Sequence, residues 1–191
     1  MKFLLNRVNI FAVFLLTTAI LSFVTLDQKF AQVVDAGDGE CANCYVSVDV
    51  EQENVISFTP ERVVMEKAGI DLPVVSVPME NGTWEVHPGV ANFAEGTSLI
   101  NEKTGNVGIF GHALPDVFLN IKRLSVGDSV IVYGQNYKAF YVVEASDKVL
   151  PSSVEAFYPE ENPILTLITC DGVFDQNRYR VRARLINIEE I

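Results

Sequence analysis

At 191 residues the chain has room for one domain of ordinary size plus appendages. Its net charge of −11 and the lack of any basic stretch exclude nucleic acid as a partner, since nothing is present to neutralise phosphates. Hydrophobic residues make up 49% of the chain, a share inflated by the N-terminus, and the acidity suits an exported domain that must stay soluble.

Residues 8–26 are almost wholly apolar, with Lys2 and Arg7 ahead of them and acidic residues behind. A secretory signal carries roughly 7–15 apolar residues and a membrane span about 18 or more, so the run reads as an N-terminal transmembrane helix. The basic flank predicts a cytoplasmic N-terminus and an exported body. The competing reading is a cleaved signal, for which Phe30-Ala31 is a poor site. Anchor or signal thus occupies 1–26.

Residues 27–58 carry Asp27, Asp35, Asp38, Glu40, Asp49, Glu51 and Glu53 against Lys29 alone, which predicts an extended acidic linker. Val46, Val48 and Val50 alternate as in a short strand. Cys41 and Cys44 form a C-x-x-C, which can be a redox pair, half a zinc site or a local disulfide. No second pair exists to complete a zinc site, and outside the membrane a plain disulfide is the expected fate.

The compact domain is predicted over 59–191. Apolar runs at 62–65 and 69–75 read as strands, Asn81-Gly82 as a tight turn between 74–79 and 83–86, and 90–93 as a further strand. Residues 96–101 read as a loop or one helical turn. Residues 106–111 form the next strand and deliver His112 just beyond its end. Val117, Phe118, Ile121 and Leu124 follow the spacing of a short helix over 115–124. Strands at 129–133 and 137–145 flank Gly134-Gln135-Asn136, and 151–162 is a polar loop. About eight short strands, few helices and no βαβ alternation predict an all-β fold, closed or nearly closed into a barrel.

The last two strands carry the chemistry. PILTLITC at 163–170 is β-branched and apolar, and ends on a cysteine. Alternation puts Ile164, Thr166, Ile168 and Cys170 on one face, with Leu165, Leu167 and Thr169 on the other. In RYRVRARLINI at 178–188, Arg178, Arg180, Arg182 and Arg184 share one face. A cysteine at a strand end beside an arginine face can activate a thiol or hold an oxyanion. The bland alternatives are a cysteine that is merely a small buried hydrophobe and a solvated arginine face. Asp171-Gly172 marks a turn beside Cys170, where exposure favours the reactive reading.

These motifs carry a resemblance. TLITC, followed by a short loop and Arg-Tyr-x-Val-x-Ala, with NVGIFGH upstream at 106–112, resembles the sortase family of cell-surface cysteine transpeptidases. The similarity runs from about Thr59 to Ile191 and implies a sortase-like catalytic barrel. It implies that Cys170 is the nucleophile that forms a thioacyl intermediate and His112 the general acid and base. Arg178, the first residue of Arg-Tyr-x-Val, would bond substrate and oxyanion, with Arg180 as the fallback, and Thr169 would support substrate or oxyanion positioning. The chain departs from the family pattern at Ala113-Leu114-Pro115, where a polar or basic residue often follows the histidine. His87, the other histidine, precedes Pro88-Gly89 in a loop that no strand delivers.

By the same resemblance the partners are surface proteins carrying a C-terminal sorting signal and an amine acceptor, either a cell-wall precursor or a pilin lysine. The location implied is the bacterial cell membrane, with a single pass, an extracytoplasmic catalytic domain and a monomeric chain. No cofactor is implied; calcium dependence is left open, with Glu95 and Glu102 as two loop acids. Papain-like enzymes and L,D-transpeptidases fit less well, because their cysteine contexts are missing. The non-enzyme alternative is a membrane-anchored β-barrel that binds a surface ligand. It explains anchor and linker, but not His112, Cys170 and Arg178 together.

Overall fold

The structure is a computed structural model and describes residues 55–191. The apolar run at 8–26, most of the acidic linker, the alternating valines and the Cys41/Cys44 pair lie outside the described residues. Among the described residues no helix is long and apolar enough to cross a membrane.

Eight strands close into a barrel. In chain order, β1 (Ser57–Phe58) is followed by β2 (Arg62–Met65), β3 (Ile70–Val77), β4 (Met79–Glu80), β5 (Thr83–Trp84) and β6 (Ala91–Ala94). Next come β7 (Ile100–Asn101), β8 (Asn106–Gly111), β9 (Ser129–Tyr133), β10 (Tyr137–Val149), β11 (Ile164–Asp171) and β12 (Asn177–Glu190). Around the barrel the order is β10-β12-β11-β8-β6-β3-β2-β9, with β9 pairing back onto β10. Closure leaves no exposed edge in the main sheet. Two pairs are parallel, β3 with β6 and β8 with β11. The expected all-β, eight-stranded barrel with few short helices is what forms.

Alternation decides which side chains fill the interior. Val63 and Met65 of β2, Val130 and Val132 of β9, Leu165 and Leu167 of β11, and Val181 and Ala183 of β12 are all fully buried in one core. A second, smaller apolar cluster sits on the outer face of β8 and β11. It joins Phe110 and Ile168 to Val77, Ala94 and Ala156, with Trp84, Val86 and Phe157 packed against them. Covering an outer face this way requires chain from elsewhere: the β4–β5 hairpin and residues 154–157 supply it. The hairpin turns at Asn81 (φ 51°) and Gly82 (φ 79°), the two positive values that a tight two-residue hairpin turn requires.

Several local expectations change. The segment expected as a helix over 115–124 is a 3-10 turn at Leu119–Arg123, held by Ile121 N–H donating to Phe118 O and Leu124 N–H to Ile121 O. Val117, Phe118, Ile121 and Leu124 are nevertheless all buried. So short a segment cannot repay α-helix nucleation, and i to i+3 bonds present the same face. The 96–101 loop contains β7, which pairs with β1. Phe58 of β1 stacks on Tyr137 at 5.6 Å. β10 runs four residues past its expected end and pairs with β12 as far as Val149 and Arg178.

Candidate active site

Strand register brings Cys170 and His112 to the same level. β11 and β8 run parallel with Thr169 opposite Gly111, so one step further along each chain lie Cys170 and His112. Neighbouring strands are about 4.8 Å apart, which sets the scale of that approach. Thr169 ties the two strands there: its Oγ1 donates to Gly111 O at 2.8 Å, and the residue is 1% exposed. Gly111 is needed for a steric reason, because a Cβ there would stand 3.0 Å from the Phe118 ring. Beyond Gly111 the chain turns sharply, with His112 O accepting from Leu114 N–H (2.8 Å) and Phe118 N–H (3.1 Å). His112 is half-buried and Cys170 is a free, half-buried cysteine.

Arg178 reaches Cys170 from the other side. It is the direct antiparallel partner of Cys170 across β11 and β12, and Val149 of β10 lies on its far flank. Its Nη1 donates to Asp175 O (3.0 Å) and Asn177 O (3.1 Å), which leaves the Nε and Nη2 hydrogens for another acceptor. The other arginines of that face are already engaged. Arg180 makes a bidentate pair with Asp147 at 2.8 and 2.6 Å, and Arg182 bonds Glu160 and Glu144. Arg184 is exposed.

Thr169 is not brought to the same place as the other three. Its hydroxyl lies on the inner face, occupied by Gly111, whereas Cys170 and Arg178 share the outer face.

The electrostatics of the thiol are mixed. Burial pushes Cys170 up from its ordinary value, Arg178 pulls it down, Asp175 pushes it up and Lys122 pulls it down, with a net rise. The next residue, Asp171, is clamped between Lys122 (2.6 Å) and Lys148 (2.9 Å). Bonds from those two ammonium groups hold its carboxyl down at about 2. The clamp joins the end of β11 to the 3-10 turn and to β10. Sequence reading missed it, because Asp171 there marks only a turn.

Two recesses border these residues. One is an apolar groove of the outer cluster, bounded by Trp84, Phe110, Leu150, Phe157 and Ile168 and ending at Arg178. Trp84 stands edge-on to Phe157 at 5.6 Å, and its Nε1 donates to Glu95 O at 3.0 Å. The second is an open hollow with Cys170 and His112 in its wall, together with Pro88, Ala113, Leu114 and Asp175. Pro88 is set by the buried Asn92. Its Oδ1 accepts His87 N–H at 2.9 Å and its Nδ2 donates to Phe110 O at 3.3 Å. His87 itself lines neither recess. Among the described residues no three metal-ligating side chains gather, so Glu95 and Glu102 belong to no such group.

A thiol, an imidazole and a guanidinium around one outer-face point can perform acyl transfer: attack, proton shuttling and oxyanion support. Similarity to known proteins lies at the level of family and fold. A family model described as the sortase domain matches residues 63–186. Listeria monocytogenes sortase A is similar in structure with a TM-score of 0.60 at 18% identity, over 72% of this chain and 90% of that one. Streptococcus pneumoniae sortase C-3 has a TM-score of 0.59 at 24% identity, over 82% of this chain and 73% of that one. Streptomyces coelicolor sortase E1, solved with a tripeptide in its active site, has a TM-score of 0.60 at 20% identity, covering 70% and 90%. No curated protein matches at the same stringency.

Proposed function

This chain belongs to the sortase family, and from that premise we propose that it is a membrane-anchored cysteine transpeptidase acting on surface proteins. The substrate is a sorting signal near the C-terminus of such a protein. The acceptor is an amine, from a cell-wall precursor or a pilin lysine. The observation that supports this best is the register that sets Cys170 opposite Arg178 and beside His112, with Arg178 lining one recess and Cys170 and His112 the other.

In this reading the sorting-signal segment lies along the apolar groove with its scissile carbonyl beside Arg178. The Cys170 thiolate adds to the carbonyl carbon, and the Arg178 N–H groups receive the developing oxyanion. The C–N bond then breaks, and the leaving amine takes a proton from the His112 imidazolium. A thioester on Cys170 and a neutral His112 remain. An incoming amine attacks that thioester, His112 takes back a proton, and the C–S bond breaks to restore the thiolate.

Incubation of the full chain with a library of sorting-signal peptides, followed by mass spectrometry, tests the reading. A mass increment on Cys170 that an added amine discharges into a new amide is expected. Cys170→Ala should abolish the increment, and a normal increment in that variant overturns the mechanism. The apolar run at 8–26 is the proposed single-pass anchor, with the N-terminus in the cytoplasm. Protease shaving of intact cells should remove the catalytic domain; a fully protected chain defeats that topology, and a soluble secreted form shows the segment is cleaved.

A further inference from the structure

The two recesses differ in character, and the transpeptidase reading assigns only the apolar one. We infer that the hollow on the His112 side of Cys170 is the acceptor subsite, in which Asp175 receives the incoming primary amine as its ammonium ion. This rests on the transpeptidase reading and names the ligand chemistry of its second half-reaction.

With the acyl group lying toward Arg178, the opposite side of the thioester faces His112. That is the side on which an amine must both approach and give up a proton. The hollow there has apolar walls at Pro88, Ala113 and Leu114, the last 50% exposed, which suit a methylene stem. Its one carboxylate is Asp175. Among the described residues no hydrogen bond or ion pair reaches that carboxylate. Lys122, which acts on the Cys170 thiol, and Lys148 are otherwise committed, since both bind Asp171, at 2.6 and 2.9 Å. Asp175 is exposed, so its carboxylate is open to a cation that enters the hollow.

The backbone places this residue deliberately. Phe174 (φ 60°) and Asp175 (φ 56°) are successive left-handed residues without being glycine, a conformation few side chains adopt. Asp175 O accepts from Arg178 Nη1 at 3.0 Å. One residue therefore braces the arginine through its carbonyl and also lines the hollow. For acylation the carboxylate is a disadvantage, because it pushes the Cys170 thiol up. A benefit in the second half-reaction explains its place.

The ammonium, drawn into the hollow by Asp175, loses one proton to water there and becomes the free amine. Its nitrogen lone pair forms the C–N bond, and that nitrogen carries positive charge until its second proton passes to neutral His112. The C–S bond then breaks, its electron pair staying on sulfur, to leave the thiolate, the imidazolium and the amide.

The test reads the ratio of aminolysis to hydrolysis of the acyl-enzyme, which is set after acylation and is independent of how fast Cys170 is loaded. The full chain, loaded from a sorting-signal peptide, is offered glycinamide, Nα-acetyl-lysine amide or hydroxylamine. The first two are largely cationic at neutral pH and represent a peptide N-terminus and a lysine side chain, whereas hydroxylamine is uncharged. Asp175→Asn tolerates the same left-handed backbone and should lower the ratio about two- to fivefold for the cationic amines, the scale of an exposed ion pair. Hydroxylamine should be unaffected, and Asp175→Glu should restore most of the loss. Added salt should erode the wild-type advantage and leave the Asn variant alone. An unchanged ratio for both cationic amines overturns the inference, as does an equal loss with hydroxylamine. Peptide cleavage measured before any amine is added separates this from the parent reading: if the wild type never loads, the transpeptidase assignment itself fails.

Discussion

Cys170 and Arg178 stand opposite one another as direct antiparallel partners on the outer face of β11 and β12. The position of the arginine is therefore set by sheet register, with strands on both sides of it, and not by a loop. A shift of two residues along β12 would carry a guanidinium 6–7 Å away, by about 3.3 Å of rise per residue.

This register separates Arg178 from Arg180. Arg180 already spends its fork on Asp147, at 2.8 and 2.6 Å, and has no spare geometry for an oxyanion. Arg178→Ala should slow acyl transfer about 10²- to 10³-fold, the scale of removing an oxyanion donor. Arg180→Ala should cost far less. Steady-state rates with a cleavable peptide decide it, and a larger loss at 180 moves the assignment by two residues.

The thiol carries a second expectation. Burial holds Cys170 above its ordinary value while Arg178 and Lys122 oppose that rise. Alkylation by iodoacetamide should accelerate with pH, with a midpoint above that of a free cysteine, about 8.5. Removing the guanidinium in Arg178→Ala removes a downward influence, so the midpoint should move higher. A midpoint that stays put or falls would show that Arg178 does not act on the thiol.

Thr169 serves as a strand tie in the folded chain, since its hydroxyl is spent on Gly111 O at 2.8 Å inside the barrel. Thr169→Val keeps the shape and removes the bond, and should destabilise the domain by about 1 kcal/mol. Thr169→Ser keeps the donor and should restore turnover. Denaturant titration alongside turnover checks both. If Val preserves stability and abolishes turnover, the hydroxyl meets the substrate after all.

Asp171 makes stability depend on acid. Its folded carboxyl titrates at about 2, held down first by the bonds from Lys122 and Lys148, whereas an unfolded Asp titrates near 3.9. The folded state then binds the proton less readily than the unfolded one. The contribution is complete above about pH 4 and is lost as pH falls toward 2. Thermal melts of wild type and Asp171→Asn should differ at pH 6 and converge near pH 2. Equal melting temperatures across that range would remove the clamp from the account.

Much of the site was legible because alternation is a local property. The inward set of Leu165, Leu167 and Thr169 and the outward arginine row follow from period two alone. The tight turn at Asn81-Gly82 follows from two residues that accept positive φ. The delivery of His112 by residues 106–111 was readable in the same way. The extension of β10 to Val149 was not, because Asp147 and its neighbours are too polar to read as strand. What makes them one is pairing with β12, including the Asp147–Arg180 bond.

By itself, then, the sequence determined most of the barrel strands, the alternation of side chains along them, and the three residues proposed for the chemistry. Tertiary structure alone decided that β8 lies beside β11 and runs parallel to it, although Gly111 and Thr169 are 58 residues apart in the chain. It alone turned the outer faces of those strands into a groove, by laying Trp84 and Phe157 over Phe110 and Ile168. It also closed the Asp171 clamp and set Asp175 in the wall of the same hollow as His112. The physical reason is that a strand's own pattern says which way each side chain points, while its neighbours are chosen by closure of the whole barrel, which no single segment encodes.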